Sequence, residues 1–367
     1  MKLTFIQDVA TPHTNVLLAA LRDTKGLKLD LWYGKGKADK YGWKDDIAHA
    51  VQRANLFELG RVDWTLVWHV FRHPENRVML IGWSNPTTRA LFLMLCLLRR
   101  NFGMWFDMPQ DTAPRSAIQK KLRDFFYMLL RTSNATVFAV GQMTVDYFKV
   151  RNFWASQLVN LPIIVEVSHT RKHFEKQKAA RRKRYNVGKN DVLIVGGSRL
   201  IHDKGFDLPI SAIGALPASQ KKRVKLVIVG QGEELDNLKK LAARHGLSKQ
   251  VFFPGWMAYD DFQALISAGE CFIHPARFDA WGSTIFAHAL GVPVIGSTGA
   301  GSAFDRIAHG KNGWLFNPAK PAELTKLLGK LLAIKPAELE KMGKAARKTA
   351  EEWKPAQGVK TIMEHLA

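Results

Sequence analysis

The segment with the clearest chemical potential is the glycine-rich stretch 196–205, which reads GGSRLIHDKG. It follows the β-branched run Val192–Val195 and precedes a helical pattern. Glycines such as Gly197 let a backbone approach a ligand closely. The planar guanidinium of Arg199 suits phosphate oxygens, and Lys204 supplies a mobile point charge. The segment is therefore predicted to grip a diphosphate, and a solvated basic loop is the alternative.

A second glycine turn lies at 229–232, which reads VGQG. Gly230 and Gly232 follow an apolar strand pattern and precede a helical one. Many α/β proteins turn in this way, so the motif alone does not identify a ligand.

A third motif, 274–284, reads HPARFDAWGST. Asp279 lies in a loop where its carboxylate could face a sugar hydroxyl. Gly282, Ser283 and Thr284 open a helix, and the free N–H groups and the dipole of a helix N-terminus favour an anion. A further glycine loop follows the next strand and contains Gly299 and Gly301. Three phosphate-compatible loops at strand ends of one domain indicate a phosphate-binding site much more specifically than any one of them.

The elements that must position these loops alternate between strand and helix along the whole chain. Strands alternating with helices indicate βαβ units and parallel sheets. We expect an α/β protein with two doubly wound Rossmann-like domains, 1–165 and 166–352. The final helix, about 353–367, is expected to pack back on the first domain. The polar, basic stretch between Pro162 and Asn190 is predicted to be the linker.

Composition limits the kind of protein. The 367 residues are 47% hydrophobic and 23% charged, which excludes a disordered or fibrous chain. A net charge of +22 favours phosphates, anionic lipid or nucleic acid as partners. Cys96 and Cys271 lie in apolar runs and are expected to be buried, reduced thiols of a cytoplasmic protein. The most apolar window, Ala90–Leu98, is too short for a membrane span of about 20 residues and predicts a buried helix.

Together these motifs resemble retaining glycosyltransferases of the GT-B fold, specifically family four. The resemblance extends over about 192–318. The matching pieces include Gly-Ser-Arg-Leu at 197–200, Val-Gly-Gln-Gly at 229–232, Phe-Phe-Pro-Gly at 252–255, Asp-Ala-Trp-Gly at 279–282 and Gly-Ala-Gly at 299–301. Two Rossmann-like domains facing a cleft are what this resemblance implies.

The resemblance also implies a reaction. A nucleotide-diphosphate sugar would be held by the second domain and a glycan or lipid-linked glycan, of the cell-envelope polysaccharide or lipopolysaccharide type, by the first. Arg199 and Lys204 would neutralise the departing diphosphate without a metal or other cofactor, and Asp279 would complete the catalytic group. The donor-binding residues implied are Gly197, Gly230, Gly232, Gly282, Ser283, Thr284, Gly299 and Gly301.

One departure from the family is the second of its two glutamates, which grips the ribose. Counting from Asp279 places Ala287 at this position, whereas alignment on Gly-x-Pro-Val places Phe286 there. Neither side chain accepts a hydrogen bond, so the ribose must be held by other groups; the candidates are Ser283, Thr284 and His288. A catalytically silent relative that still binds nucleotide or glycan is therefore the alternative function.

The first domain offers weaker signals. Polar residues at predicted strand ends are candidates for acceptor contacts, with loop capping as the alternative; they are Asp8, His13, Asn85 and Asp107. The amphipathic, basic helix Arg115–Arg131 could lie on an anionic membrane surface or be a core helix with a solvated face. The protein is thus expected in the cytoplasm, peripheral to a membrane at most.

A basic run at Arg181–Arg184 raises nucleic-acid binding as a competing class. The sequence contains no helix-turn-helix, zinc-ligand spacing or stacked-aromatic motif to support it. A nucleic-acid partner is therefore not expected.

Overall fold

The structure is a computed structural model that describes residues 1–9, 11–35, 54–109, 115–167, 169 and 171–366, with the side chains of Pro12 and His13 left out. The chain forms two compact units. Unit 1 contains Met1–Ile164 and Pro355–Ala367, and unit 2 contains Val165–Lys354.

The strands of the described residues are β1 (Lys2–Gln7), β2 (Lys28–Gly34), β3 (Asn55–Phe57), β4 (Arg77–Ile81), β5 (Phe102–Phe106), β6 (Ala135–Ala139), β7 (Leu158–Asn160), β8 (Val192–Gly197), β9 (Val224–Val229), β10 (Val251–Gly255), β11 (Cys271–His274), β12 (Val294–Ser297) and β13 (Gly313–Phe316). The helices are α1 (Pro12–Arg22), α2 (Trp64–Arg72), α3 (Pro86–Leu97), α4 (Ala117–Thr132), α5 (Gln142–Lys149), α6 (Glu175–Arg184), α7 (Asp207–Gly214), α8 (Ala218–Lys221), α9 (Leu235–Arg244), α10 (Tyr259–Ala268), α11 (Thr284–Ala289), α12 (Gly301–Arg306), α13 (Pro321–Ala333), α14 (Pro336–Glu351) and α15 (Pro355–Leu366).

Unit 1 is built on a parallel sheet with the strand order β3-β2-β1-β4-β5-β6-β7. The central strand β1 pairs with β2 and β4, so that Ile6 lies opposite Trp32 and Leu80. Leu3–Gln7 is buried throughout, as expected for a strand covered on both faces.

Helices cover both faces of this sheet. One apolar core joins α2, α3, α4 and α5 to the sheet. On the other face α15 packs against α1 so closely that a Cβ at Gly358 would lie 2.9 Å from Leu17 Cδ1 and would collide with Ile164. The C-terminal helix thus completes the core of unit 1.

Local sequence explains where these helices begin. Asp63 caps α2 by accepting the N–H groups of Thr65 and Leu66 at 3.0 and 3.2 Å. Ser116 and Gln119 form a capping box at the start of α4. Each cap satisfies backbone donors that a helix N-terminus leaves unpaired.

Unit 2 contains a second parallel sheet with the strand order β10-β9-β8-β11-β12-β13. One core packs α7, α9, α13 and α14 against the sheet, and the other packs α10, α11 and α12 against it. Both units are therefore doubly wound, which confirms the predicted α/β fold class.

The prediction that the segment between Pro162 and Asn190 is a linker is wrong for most of that segment. Residues Arg171–Phe174 form a 3-10 turn that leads into α6, and Phe174 is buried in unit 2. Arg171 donates to the Ser267 and Gly269 carbonyls at 3.1 and 2.7 Å, and Arg182 pairs with Glu270 at 2.8 Å. The basic residues therefore fasten this segment to the end of α10, where a helix leaves its carbonyls unpaired.

The prediction of a buried helix at Ala90–Leu98 also needs correction. Only one face of α3 is buried, and Leu97 is 84% exposed. Cys96 is half-buried and Cys271 is fully buried; burial raises the pKa of Cys96 to about 11 and that of Cys271 to about 12. Among the described helices, none has both the length and the apolar composition needed to cross a membrane.

Candidate functional site

The candidate site lies at the carboxyl ends of the strands of unit 2. Four neighbouring strands, β9, β8, β11 and β12, send out the loops 230–234, 198–201, 275–283 and 298–300 at this edge. Ligands of open parallel sheets bind outside the carboxyl ends of the strands. The sheet order therefore gathers the predicted motifs at the edge where a ligand is expected.

Backbone contacts join the loops after β8 and β9. The Leu200 N–H donates to the Gln231 carbonyl at 2.8 Å, and the Glu234 N–H donates to the Leu200 carbonyl at 2.9 Å. A Cβ at Gly230, where φ is +136°, would collide with the Ser198 carbonyl, and one at Gly232 would collide with that of Leu200. These glycines are required because the two loops touch through their backbones.

The loops after β11 and β12 are joined in the same way. The Asp279 N–H donates to the Gly299 carbonyl at 3.0 Å, and the Gly301 N–H donates to the Asp279 carbonyl at 2.9 Å. A Cβ at Gly299 would collide with the Arg277 carbonyl, and one at Gly301 with that of Ala280. The two glycines thus hold the Asp279 loop in place; their contact with phosphate stays a prediction.

A buried polar cluster occupies the centre of this edge. Lys204 Nζ lies 2.8 Å from Asp279 Oδ2, and His274 Nε2 lies 3.1 Å from the same oxygen. His274 Nδ1 lies 2.9 Å from Thr284 Oγ1. The two ring nitrogens of His274 therefore join the Asp279 carboxylate to the Thr284 hydroxyl.

The environment keeps Asp279 ionised. Burial alone would raise the pKa of this carboxyl, but the hydrogen bond and charge of His274 and the charge of Lys204 hold its pKa well below the usual range. Gly282, where φ is +90°, makes room for the cluster because a Cβ there would lie 2.6 Å from Asp279 Oδ2 and would collide with the His274 ring.

The two predicted cations have different surroundings. Lys204 is 9% exposed and paired with Asp279. Arg199 is exposed and has no hydrogen bond or ion pair with any residue of the described ranges. Ser283 Oγ donates to the Gly197 carbonyl at 3.1 Å and joins the start of α11 to the end of β8. One cation is thus fixed in the site, while the other is free for a ligand.

Two of the three residues expected to hold a ribose are buried. Thr284 and His288 are 0% and 1% exposed, and the Thr284 hydroxyl is hydrogen-bonded to His274, so their contact with a ribose stays a prediction. Burial, with a smaller contribution from the charge of Arg306, lowers the pKa of His288 to about 3. Of the two residues at the position of the family's glutamate, Ala287 is buried, whereas Phe286 is half-buried and its ring lies 5.7 Å from that of Tyr259.

The acceptor-side candidates lie at the carboxyl edge of the unit 1 sheet. Asp8 accepts hydrogen bonds from the Ser84 hydroxyl and the Asn85 side-chain amide. Asn85 also caps α3 by accepting the Thr88 N–H at 2.9 Å. Asp107 is exposed after β5, two strands from β1. His13 lies in the first turn of α1, and its side chain is outside the described part of the chain.

Sequence reasoning assigned no role to His274, which contacts the predicted site residue Asp279. The signal for His274 was a polar residue that ends a buried strand five positions before a carboxylate. Within the described ranges, no group of three or more His, Cys, Asp or Glu side chains could hold a metal ion. A reaction without metal stays a prediction.

Related sequences match the half of the chain that contains this site. Residues 176–349 match the family described as glycosyl transferases group 1. The chain is 32% identical over 191 residues to a GDP-mannose-dependent alpha-(1-6)-phosphatidylinositol monomannoside mannosyltransferase of Mycobacterium tuberculosis, a match that covers 49% of this chain and 47% of the relative. It therefore spans about half the length of that relative. A GDP-mannose-dependent monoacylated alpha-(1-6)-phosphatidylinositol monomannoside mannosyltransferase of Corynebacterium glutamicum is 27% identical over 82% of this chain and 84% of its own.

Solved structures share the fold. The Anabaena Alr3699/HepE structure in complex with UDP superposes with a TM-score of 0.77 at 18% identity, over 99% of each chain. WaaG, a glycosyltransferase involved in lipopolysaccharide biosynthesis, superposes with a TM-score of 0.65 at 16% identity, over 98% of this chain and 99% of its own. Residues 176–349 are therefore similar to the glycosyl transferases group 1 family, and the fold of the chain is that of GT-B glycosyltransferases.

Proposed function

We propose that this protein is a retaining glycosyltransferase that moves a sugar from a nucleotide-diphosphate sugar to a glycan or lipid-linked glycan. The observation that carries the proposal is the buried cluster of Lys204, Asp279 and His274 beside the exposed Arg199, at the ligand-binding edge of unit 2. The mannosyltransferase relatives are named for GDP-mannose and the Anabaena structure contains UDP, so the supported donor class is a nucleoside diphosphate sugar.

In this reaction the bond between the anomeric carbon and the diphosphate oxygen breaks, and an acceptor hydroxyl oxygen bonds to the anomeric carbon on the same face while its proton passes to the departing diphosphate. Negative charge then develops on the leaving diphosphate. An ammonium group has three N–H donors, so the ion pair with Asp279 leaves Lys204 donors for phosphate oxygens. Arg199 contributes a second, planar cation. Fixed cations at the leaving group supply electrostatic stabilisation without a metal or other cofactor.

Asp279 is assigned two tasks. Its Oδ2 is occupied by Lys204 and His274, which fixes the carboxylate and the ammonium. Its Oδ1 has no hydrogen-bond partner among the described residues and is the atom we assign to a donor sugar hydroxyl. An ionised carboxylate only accepts hydrogen bonds, which suits it to a hydroxyl donor.

Unit 1 is assigned the acceptor. Asp8, Ser84 and Asn85 form a polar cluster at the strand ends. The α4 helix presents Ile118, which is 78% exposed, and the half-exposed Leu122 beside Lys120 and Lys121. We place this face against the anionic, cytoplasmic surface of a membrane, because exposed apolar and basic side chains on one helix favour that position.

The test is calorimetric titration with UDP, GDP, ADP, dTDP and a short DNA duplex at about physiological salt, where exposed charges are screened beyond about 8 Å. We expect saturable binding of one nucleoside diphosphate, weakened at least about tenfold by Arg199→Ala, since a charge-assisted contact is lost. The matched control is Arg244→Ala, an exposed arginine at the end of α9. Duplex binding without nucleotide preference would contradict the proposal.

A catalytically silent nucleotide-binding protein is the second candidate, and the half-buried Phe286 at the position of a family glutamate is the observation that favours it. The two candidates differ in turnover. Release of nucleoside diphosphate from the matching nucleotide sugar supports the transferase, whereas binding without release in the presence of glycan acceptors supports the silent protein.

A further inference from the structure

The α2 helix of unit 1 is apolar on two opposite sides. Its inner side is buried in the core through Leu66, Val67 and Val70. Its outer side carries large exposed side chains at spacings of four and three residues: Trp64 is 70% exposed, Trp68 55% and Phe71 45%. A surface helix ordinarily buries one apolar stripe and exposes polar residues elsewhere. The outer side of α2 instead exposes three large apolar side chains.

The neighbouring helix extends this outer surface. At the end of α3, Leu97 and Leu98 are 84% and 47% exposed. Between the two helices lies a cavity of 590 Å³ lined by Trp64, Thr65, Val67, Trp68, Phe71 and Met94. We call this cavity and the five exposed side chains the α2–α3 patch. Contiguous exposed apolar surface of this kind marks a contact with another molecule or with a membrane.

Three arginines flank the segments of the patch in the sequence. Arg61 lies three residues before Trp64, Arg72 lies at the end of α2, and Arg99 follows Leu98. All three are exposed, and none pairs with a carboxylate of the described residues. The Arg72 guanidinium lies 5.0 Å above the Trp68 ring.

The carboxylates nearest in sequence offset only part of this charge. Glu58 pairs with Lys35 at 2.7 Å and Glu75 with Lys2 at 3.4 Å, whereas Asp63 caps α2 through backbone N–H groups and keeps its negative charge. The rim of the α2–α3 patch therefore attracts anions.

We propose that the α2–α3 patch inserts into the headgroup and upper acyl region of an anionic lipid bilayer. Indole rings favour this interface because they are apolar with one polar N–H. Arginine stems lie along apolar surface while their guanidinium groups reach lipid phosphates. A second copy of the chain fits less well, because a symmetric contact would bring Arg61, Arg72 and Arg99 of both copies together.

Continuity with α4 supports the same occupant. The α2, α3 and α4 helices cover one core, and the Phe92 and Phe126 rings of α3 and α4 stack at 5.4 Å. The two proposed membrane contacts should depend differently on salt. The α4 helix combines apolar residues with adjacent lysines, whereas the α2–α3 patch is mainly aromatic and aliphatic. Insertion of apolar side chains persists when salt screens charge. The inference does not rest on transferase activity.

The experiment is co-sedimentation of the full chain with sucrose-loaded vesicles of phosphatidylcholine alone or mixed equally with phosphatidylglycerol. It compares the wild type, the double variant Trp64→Gln/Trp68→Gln, and the control Trp154→Gln, whose indole is 71% exposed elsewhere in unit 1. On mixed vesicles in about 1 M salt, where the screening length is about 3 Å, we expect the double variant to lose at least about tenfold in partition coefficient. The control should not change.

Two results would overturn the inference. One is an unchanged partition coefficient of the double variant in high salt. The other is a wild-type dimer in solution that the double substitution dissociates, measured by light scattering, since the patch would then be a contact between copies. Quenching of wild-type indole fluorescence by bromine-labelled lipid provides a second measurement that needs no variant, and absence of quenching also counts against insertion. Nucleotide binding by unit 2 reports separately on the proposed enzymatic function.

Discussion

The carboxyl edges of the two sheets hold their candidate residues in different ways. In unit 2, neighbouring loops touch through their backbones at Gly230, Gly232, Gly299 and Gly301, and the polar side chains are buried behind them. In unit 1 the contacts are between side chains, from Ser84 and Asn85 to Asp8. Backbone contacts tolerate almost no substitution, whereas side-chain contacts can change one residue at a time. The carboxyl edge of the unit 2 sheet is thus the constrained part of the molecule, and that of the unit 1 sheet is the adaptable part.

The largest effect is expected where a glycine is both crowded and in the left-handed region. Gly282→Ala should lower the free energy of unfolding by about 3 kcal/mol, because backbone strain adds to overpacking against Asp279 and His274. Gly82 in unit 1 is the matched control, since its φ is +66° and a Cβ there would meet nothing within 4 Å. Gly82→Ala should cost about 1 kcal/mol from strain alone.

Urea denaturation of both variants measures this difference. Nucleotide titration should also show weaker binding for Gly282→Ala and unchanged binding for Gly82→Ala. If Gly282→Ala and Gly82→Ala lowered the free energy of unfolding equally, crowding at the carboxyl edge of the unit 2 sheet would not distinguish that edge from unit 1.

A smaller effect is expected at the acceptor edge. Asp8→Ala removes the carboxylate that accepts the Ser84 and Asn85 hydrogen bonds. We expect the KM for the glycan substrate to rise about tenfold, because about one hydrogen bond to a charged group is lost. Nucleotide affinity should not change, because Asp8 belongs to unit 1. Steady-state kinetics with each substrate varied in turn measures both quantities. A change in the KM for the nucleotide sugar alone would contradict the assignment of Asp8 to the glycan acceptor.

The smallest effect is expected at His288, where it tests whether this buried side chain of unit 2 only stabilises the fold or also contacts a ligand. His288 is buried, and burial, with a smaller contribution from the charge of Arg306, lowers its pKa to about 3. An unfolded histidine titrates near 6.5, so protons favour the unfolded state as pH falls below that value. Because of His288, the free energy of unfolding should fall by about 1 kcal/mol as the pH is lowered from about 6.5 to 5.5.

His288→Leu should remove that part of the pH dependence, as measured by urea denaturation at both pH values, while His365→Gln, on the exposed end of α15, should not. Nucleotide affinity should be nearly unchanged in His288→Leu. A large loss of affinity would support His288 as a ribose contact.

The fold was largely predictable because its signals are local. Short β-branched runs such as Val192–Val195 alternate with helical patterns, and two parallel sheets were found. The candidate loops were predictable for the same reason, since glycines directly follow strands. The family match over 176–349 confirms the resemblance drawn from them.

The features that could not be predicted depend on contacts between distant residues. Lys204 and Asp279 are 75 positions apart, and no local pattern shows that they pair. The basic composition of α6 indicated a solvated linker, whereas Arg182 pairs with Glu270 across 88 positions. The sequence analysis made no prediction for α2, and only the position of the sheet shows that the side with Trp64 and Trp68 remains uncovered.

The division of the chain has a consequence for its synthesis. Unit 1 is interrupted after Ile164 and resumes at Pro355, so all of unit 2 is translated inside it. Until α15 leaves the ribosome, Leu17 and Ile164 lack the helix that covers them. The core of unit 1 should therefore close only after the whole of unit 2 has been synthesised.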